Sequence, residues 1–326
     1  TPSEDEERLR SSSFDVAIRA LQSIFRACTT DANVLAQFET RDYTNLLWAA
    51  IKSRAKIPVE FLEQCEDYAI DNLDALNELD LVYFTYSLGN AQNSVEEKKK
   101  KNYNNETYNP TRYLAYAVSR AEELAKNGGF DANVHIAPLL NSFAKNKFNP
   151  GMMLIDKCEK IIQSESSAQA LRPTVASQIM WSFTKLEYVP SDETLEKIEA
   201  AWLNPSSDGL NFRDFQEGSS LLIWAHATLG KLPSADLLLK LTTPPTKKAA
   251  SFWTPVSMWM TFWSLSLLYA CVATTSEGKA VVEAALNNFC EKIILPNGGI
   301  RADSLDKKGL GACYASILLL KGTSLQ

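Results

Sequence analysis

The sequence predicts an all-α fold, a right-handed solenoid of helical hairpins of about 38–40 residues each. Three observations carry that expectation. The segment SQIMWSFTKLEYVP, residues 177–190, recurs in recognisable form as NLLWAAIKS, LVYFTYSLG, LLNSFAKNK, LIWAHATLG and TFWSLSLLY. Aligning the copies sets structural anchors at Trp48, Tyr83, Asn141, Trp181, Trp224 and Trp263, spaced by 35, 58, 40, 43 and 39 residues. The one long spacing contains the polar stretch Ala91 to Asn109, and without those 19 residues it falls to 39. Finally, Pro58, Pro150, Pro190 and Pro233 follow their anchors by nine or ten residues. A proline there ends one helix and opens the next in its first turn, where a missing N–H costs nothing.

Within the copy at Trp181, residues Ile179, Phe183 and Leu186 share one helical face, so the first helix of each hairpin is amphipathic. A second apolar-periodic run follows each proline, such as Phe61, Cys65 and Ala69 or Leu195, Ile198 and Trp202. On this frame the anchor aromatics are expected to be buried between adjacent hairpins.

The elements follow in order. Residues 1–10 form an acidic N-terminal tail, and residues 11–42 read as capping helices with Phe14, Ala17, Ile18, Leu21, Ile24 and Phe25 on one face. The repeat array covers residues 43–276 and is interrupted by the insertion 91–109. That insertion carries Lys98, Lys99, Lys100 and Lys101 in an Asn-rich setting and reads as a surface loop. Helical periodicity resumes at Tyr113, Ala117, Arg120 and Leu124, and Gly128-Gly129 ends it. Residues 249–276 contain no Asp, Glu, Lys or Arg, a length that raises a bilayer span. Pro255, the frequent Ser and Thr, and the position of Trp263 on the repeat frame favour a solenoid helix, so no membrane span is expected. Residues 277–326 read as C-terminal capping helices.

Composition narrows the function classes. The chain has 326 residues, 45% hydrophobic and 22% charged, as expected of a folded soluble protein. A net charge of −6 and a pI near 5.2 lack the global basicity usual for proteins that lie along nucleic acid, although a local basic groove is compatible with them. Six widely separated cysteines form no close metal-ligand pair and read as reduced core residues, which suits a reducing compartment. There are two histidines, His135 and His226, and neither a phosphate-binding glycine loop nor a nucleophile elbow. The chain therefore reads as a non-enzyme with no cofactor and no metal. His226 stands where the Trp181 copy has Phe183, so it is expected in the core. Four residues past their anchors stand Lys52, Lys145 and Lys185, at a spacing that suits contact with successive phosphates of a single strand. These three, together with Lys98–Lys101, are the candidate RNA-binding residues.

TNLLWAAIKS followed by Pro58, SQIMWSFTKLEYVP, and SSLLIWAHATLGKLP resemble the octotricopeptide repeat and its relatives among FAST-kinase-like organellar proteins. The resemblance covers residues 40–275. It implies a paired-helix unit of this length and binding of single-stranded organellar RNA, in RNA processing, stability or translation, within a mitochondrial matrix or plastid stroma, with the cytosol as the other compartment considered. The family's Pro-Pro-Pro-Glu-Trp motif and RAP-type domain have no counterpart here. An alternative expectation is therefore a structural subunit or assembly scaffold that grips protein, favoured by the acidic charge and by the aromatic run Trp253 to Tyr269.

Overall fold

The computed structural model describes residues 4–91, 108–164, 171–205, 211–246 and 253–323. Among them every regular element is helical and no strand occurs. The chain divides into two compact units, residues 1–161 and 162–326.

The first unit contains α1 (Glu4–Thr30), α2 (Ala32–Leu35), α3 (Thr40–Ser53), α4 (Val59–Asp71), α5 (Glu78–Asn90) and α6 (Thr111–Lys126). A π-helical turn, Ala132–Ile136, then leads into α7 (Ala137–Lys145), and α8 (Met152–Gln163) closes the unit. Helices α3, α5 and α7 lie side by side in one layer, α4 and α6 in a second, and α1 packs on α3 and α4. The residues that the sequence assigns to an acidic tail belong to α1 from Glu4 onward.

The second unit contains α9 (Pro173–Lys185), α10 (Asp192–Leu203), α11 (Phe212–Leu229) and α12 (Ala235–Thr242). After them come α13 (Pro255–Leu267), α14 (Ser276–Phe289) and α15 (Lys307–Thr323). The same two layers appear: α9, α11, α13 and α15 in succession, with α10, α12 and α14 beneath. The segment expected as a C-terminal cap thus continues both layers.

Local chemistry explains the helix boundaries. Asn77, Ser191, Asn211, Ser234, Thr254 and Thr275 each accept a hydrogen bond from a backbone N–H of the helix they precede, satisfying a donor left free at every helix start. At the other end four of the first-layer helices, α3, α7, α9 and α11, share one device. Six residues past the anchor the backbone is left-handed, with φ of 55° at Arg54, 52° at Lys147, 58° at Glu187 and 67° at Gly230. One residue further, the amides of Ala55, Phe148, Tyr188 and Lys231 donate to the carbonyls of Ala50, Phe143, Phe183 and His226 at 2.9–3.0 Å. This is the six-to-one closure of a Schellman turn. Its apolar contact is an aromatic pair in two copies, Phe143 with Phe148 (5.8 Å between centroids) and Phe183 with Tyr188 (5.1 Å).

The anchors themselves correct an expectation. Trp48 is 41% exposed, and Tyr83, Trp181, Trp224 and Trp263 are partly buried rather than core. A first-layer helix packs against its layer neighbour and against the second layer, as α9 does on α11 and α10, and little of its surface is left to solvent. On α9 Val175, Ala176, Ser177, Ile179, Met180, Ser182, Phe183 and Thr184 are all buried. The stripe that remains is Thr174, Gln178, Trp181 and Lys185, and the anchor lies on it. The core is filled instead by neighbours of the anchor, such as Leu47, Met180, Phe183, Leu222 and Ile223, together with second-layer residues such as Trp202. The Trp202 indole N–H donates to Ser177 Oγ at 3.0 Å.

Residues 255–272 have a mean hydropathy of 1.3 and are long and apolar enough to cross a bilayer. In the second unit this stretch packs on α11, α14 and α15, and the hydroxyls of Ser264 and Ser266 donate back to Met260 and Phe262 carbonyls at 2.7 and 2.8 Å. All six thiols are free. Cys28, Cys65 and Cys158 are buried, but Cys290 and Cys313 are only partly so, and Cys271 departs from the core expectation: it is exposed, on the π-helical turn Leu268–Val272.

The left-handed turn yields a paired prediction. Gly230→Ala is expected to cost about 1–2 kcal/mol, the steric penalty of a Cβ at positive φ, whereas Glu187→Gly relieves the same strain and raises stability by somewhat less, since glycine also loosens the unfolded chain. Urea midpoints of the two variants, moving in opposite directions, check it.

Candidate nucleic-acid interface

The outward stripe recurs on each first-layer helix with the same four-position register. On α3 it is Arg41, Asn45, Trp48 and Lys52, all exposed. On α7 it is Val134, Pro138, Asn141 and Lys145, and on α9 Thr174, Gln178, Trp181 and Lys185. The spacing of four, three and four residues keeps these side chains on one face of a 3.6-residue helix. The three lysines sit in the last helical turn, where the negative end of the helix dipole favours a cation.

Each lysine reaches sideways to the adjacent first-layer helix. In the first unit Lys52 Nζ lies 5.1 Å from the Tyr86 ring centroid, 5.6 Å from that of Trp48 and 3.4 Å from the Tyr86 hydroxyl. Lys145 Nζ donates to Asn90 Oδ1 at 3.0 Å. In the second unit Lys185 Nζ sits between two indoles, 5.9 Å from Trp181 and 4.7 Å from Trp224. Exposed ammonium groups over aromatic faces gain about 0.5–1 kcal/mol, so the arrangement holds itself together without a ligand. It also presents aromatic surface beside positive charge, the combination that receives stacked bases and a phosphate backbone.

On α5 the partner of Lys52 is Tyr86, three residues past the Tyr83 chosen by the sequence frame. The stripe there reads Leu79, Tyr83, Tyr86 and Asn90. Asp80, which the frame would turn outward, is buried and stands 3.6 Å from Arg41. Sequence reasoning also passed over α15, whose outward stripe is Leu310, Tyr314, Ile317 and Lys321. The signal was there in ASILLLK, which places a lysine four residues after an apolar anchor. On α13 the register turns apolar, with Val256, Met260, Trp263 and Leu267. Lys98, Lys99, Lys100 and Lys101 lie outside the described residues.

The histidines are accounted for by structure. His226, 1% exposed, has Nδ1 3.2 Å from the Lys231 carbonyl, and so ties together the turn that phenylalanine closes in other copies. Its burial pushes the imidazole pKa down to about 4 from 6.5. His135 Nδ1 accepts the Asp131 amide at 2.9 Å, and its ring stacks on Phe130. Among the described residues no group of three His, Cys, Asp or Glu side chains is placed to hold a metal. No protein-family model matches the chain, and a search of curated proteins finds no relative.

The depressed pKa of His226 gives stability a pH dependence of definite sign. The ring is neutral in folded and unfolded chains above pH 6.5. As pH falls below that value the unfolded imidazole takes a proton that the buried ring refuses until about pH 4. Its contribution is therefore complete above 6.5 and shrinks by about 3 kcal/mol on the way to pH 4. Denaturation midpoints measured between pH 7.5 and 4.5 check this, because wild type should lose stability relative to His226→Phe as pH falls.

Proposed function

We infer that this chain is a non-catalytic helical-repeat protein of the octotricopeptide kind that binds single-stranded RNA. Its hairpins are repeats of the right-handed solenoid kind, and it acts in RNA processing, stability or translation in a mitochondrial matrix or plastid stroma. The observation that carries this reading is the pairing of Lys52 with Trp48 and Tyr86, and of Lys185 with Trp181 and Trp224, at the same register of the outward stripe in each unit. Bases stack on the rings, and the lysines, with Lys145, meet phosphates. Neither role asks for general acid–base chemistry, and the two histidines are engaged in turns. Residues 255–272 serve as a helix of the array rather than a bilayer span.

One observation favours a second reading, a structural subunit or scaffold. On α15 Leu310, Tyr314, Ile317 and Leu318 are 44%, 66%, 46% and 51% exposed, an apolar stripe of the kind that protein interfaces cover. Native purification with and without RNase separates the two. A defined heteromeric complex that survives digestion supports the scaffold, whereas a transcript lost on digestion supports RNA binding.

Binding of single-stranded RNA is expected to weaken with salt, and each of Lys52→Gln, Lys145→Gln and Lys185→Gln to flatten the log–log slope by about 0.7. Anisotropy titrations across a salt series measure it, and binding that ignores salt would remove this reading.

A further inference from the structure

We propose that the groove between α9 and α11 holds one nucleotide and selects a base with an exocyclic amine where uracil has O4, namely cytosine or adenine, against uracil; this rests on the RNA reading above. Beside the Trp181–Lys185–Trp224 cluster the two helices part to form a recess of about 140 Å³, lined by Thr174, Gln178, Asp214, Glu217, Gly218 and Leu221. That volume suits a single planar ring. Beneath it α11 settles onto α10 because Gly218 has no side chain: a Cβ there would stand 2.7 Å from Trp202 Cζ2.

The polar groups of the recess differ in availability. Asp214 is committed, since its Oδ2 accepts from Asn211 Nδ2 at 2.6 Å within the cap of α11. The Glu217 carboxylate, the Gln178 amide and the Thr174 hydroxyl have no partner among the described residues, and Gln178 and Glu217 are exposed. Seven residues of α9 separate Gln178 from Lys185, about 10 Å of helix, which matches one nucleotide from base edge to phosphate. A phosphate at Lys185 therefore sets its base against the indoles with its outer edge in the recess. There a carboxylate accepts from cytosine N4 or adenine N6, whereas it faces the O4 acceptor of uracil and repels it. On α5 the position equivalent to Glu217 is Leu79, and the nearby Asp80 carboxylate is already paired with Arg41 of α3. The selection belongs to the second unit.

The test is fluorescence anisotropy of short labelled oligo(C), oligo(A) and oligo(U) at low salt, with wild type, Glu217→Gln and Glu193→Gln. Glu193 is an exposed acid on α10 away from the groove, and its variant controls for net charge. Wild type should bind oligo(C) and oligo(A) about five- to tenfold more tightly than oligo(U). Glu217→Gln should bring the three within about twofold, chiefly by tightening oligo(U), because an amide donates to O4. The Glu193 variant should keep the preference. Equal wild-type binding of the three, or a preference that survives Glu217→Gln, overturns the selection and leaves RNA binding standing. Failure of every oligonucleotide to bind, with an unchanged circular-dichroism spectrum, overturns both.

Discussion

Six residues after Trp48, Asn141, Trp181 and Trp224 the backbone turns left-handed, and the next amide closes on the carbonyl two residues past the anchor. This closure ends the first-layer helix at a fixed distance from the anchor and reverses the chain. The proline two or three residues beyond then lies where the second-layer helix is about to begin. Only one of the four left-handed positions is glycine. Arg54, Lys147 and Glu187 each bear about 1–2 kcal/mol of strain, offset by the buried contact between the residues two and seven past the anchor. Where that contact is aromatic it buries a ring pair, and in the α11 copy the imidazole of His226 and the Lys231 carbonyl take its place.

Once the turn is fixed, the outward stripe follows. The last helical turn before it carries the lysine, and the stacking of first-layer helices decides what the lysine meets. Lys52 and Lys185 find aromatic rings on the neighbouring helix, and Lys145 finds an asparagine. Helix dipole and cation–π contact therefore act on the same few atoms, the ones to which we assign the proposed contact with a polyanion. The net charge of −6 coexists with this because many of the acids lie in the first turns of helices, such as Asp192 and Glu193 of α10.

The helical class was legible because apolar residues at three- and four-residue spacing and prolines at a fixed offset leave few alternatives. The helix carrying Trp181 was readable to its last turn, and so was the placement of His226 in the core. Two features were not. Tyr83 and Tyr86 are three residues apart and share a helical face, so periodicity alone does not tell which one meets Lys52. The C-terminal helix α15 ends in a long apolar run, and a terminal cap and a further first-layer helix have the same composition.

The chain alone determined the all-α class, the hairpin period and the positions of the lysines, since these depend on local propensity and on spacing along a single helix. Tertiary structure decided whether an anchor is core or surface. Trp48 and Phe183 are both large and apolar, and each sits within a helix of similar pattern. Their difference in burial comes from the face each takes on its helix: Trp48 lies on the outward stripe and Phe183 on a face that other helices cover, and which face is covered is something no single segment encodes. The same holds for the recess beside Glu217, which exists because Gly218 lets α11 settle onto Trp202, a residue sixteen positions earlier in the chain and on another helix.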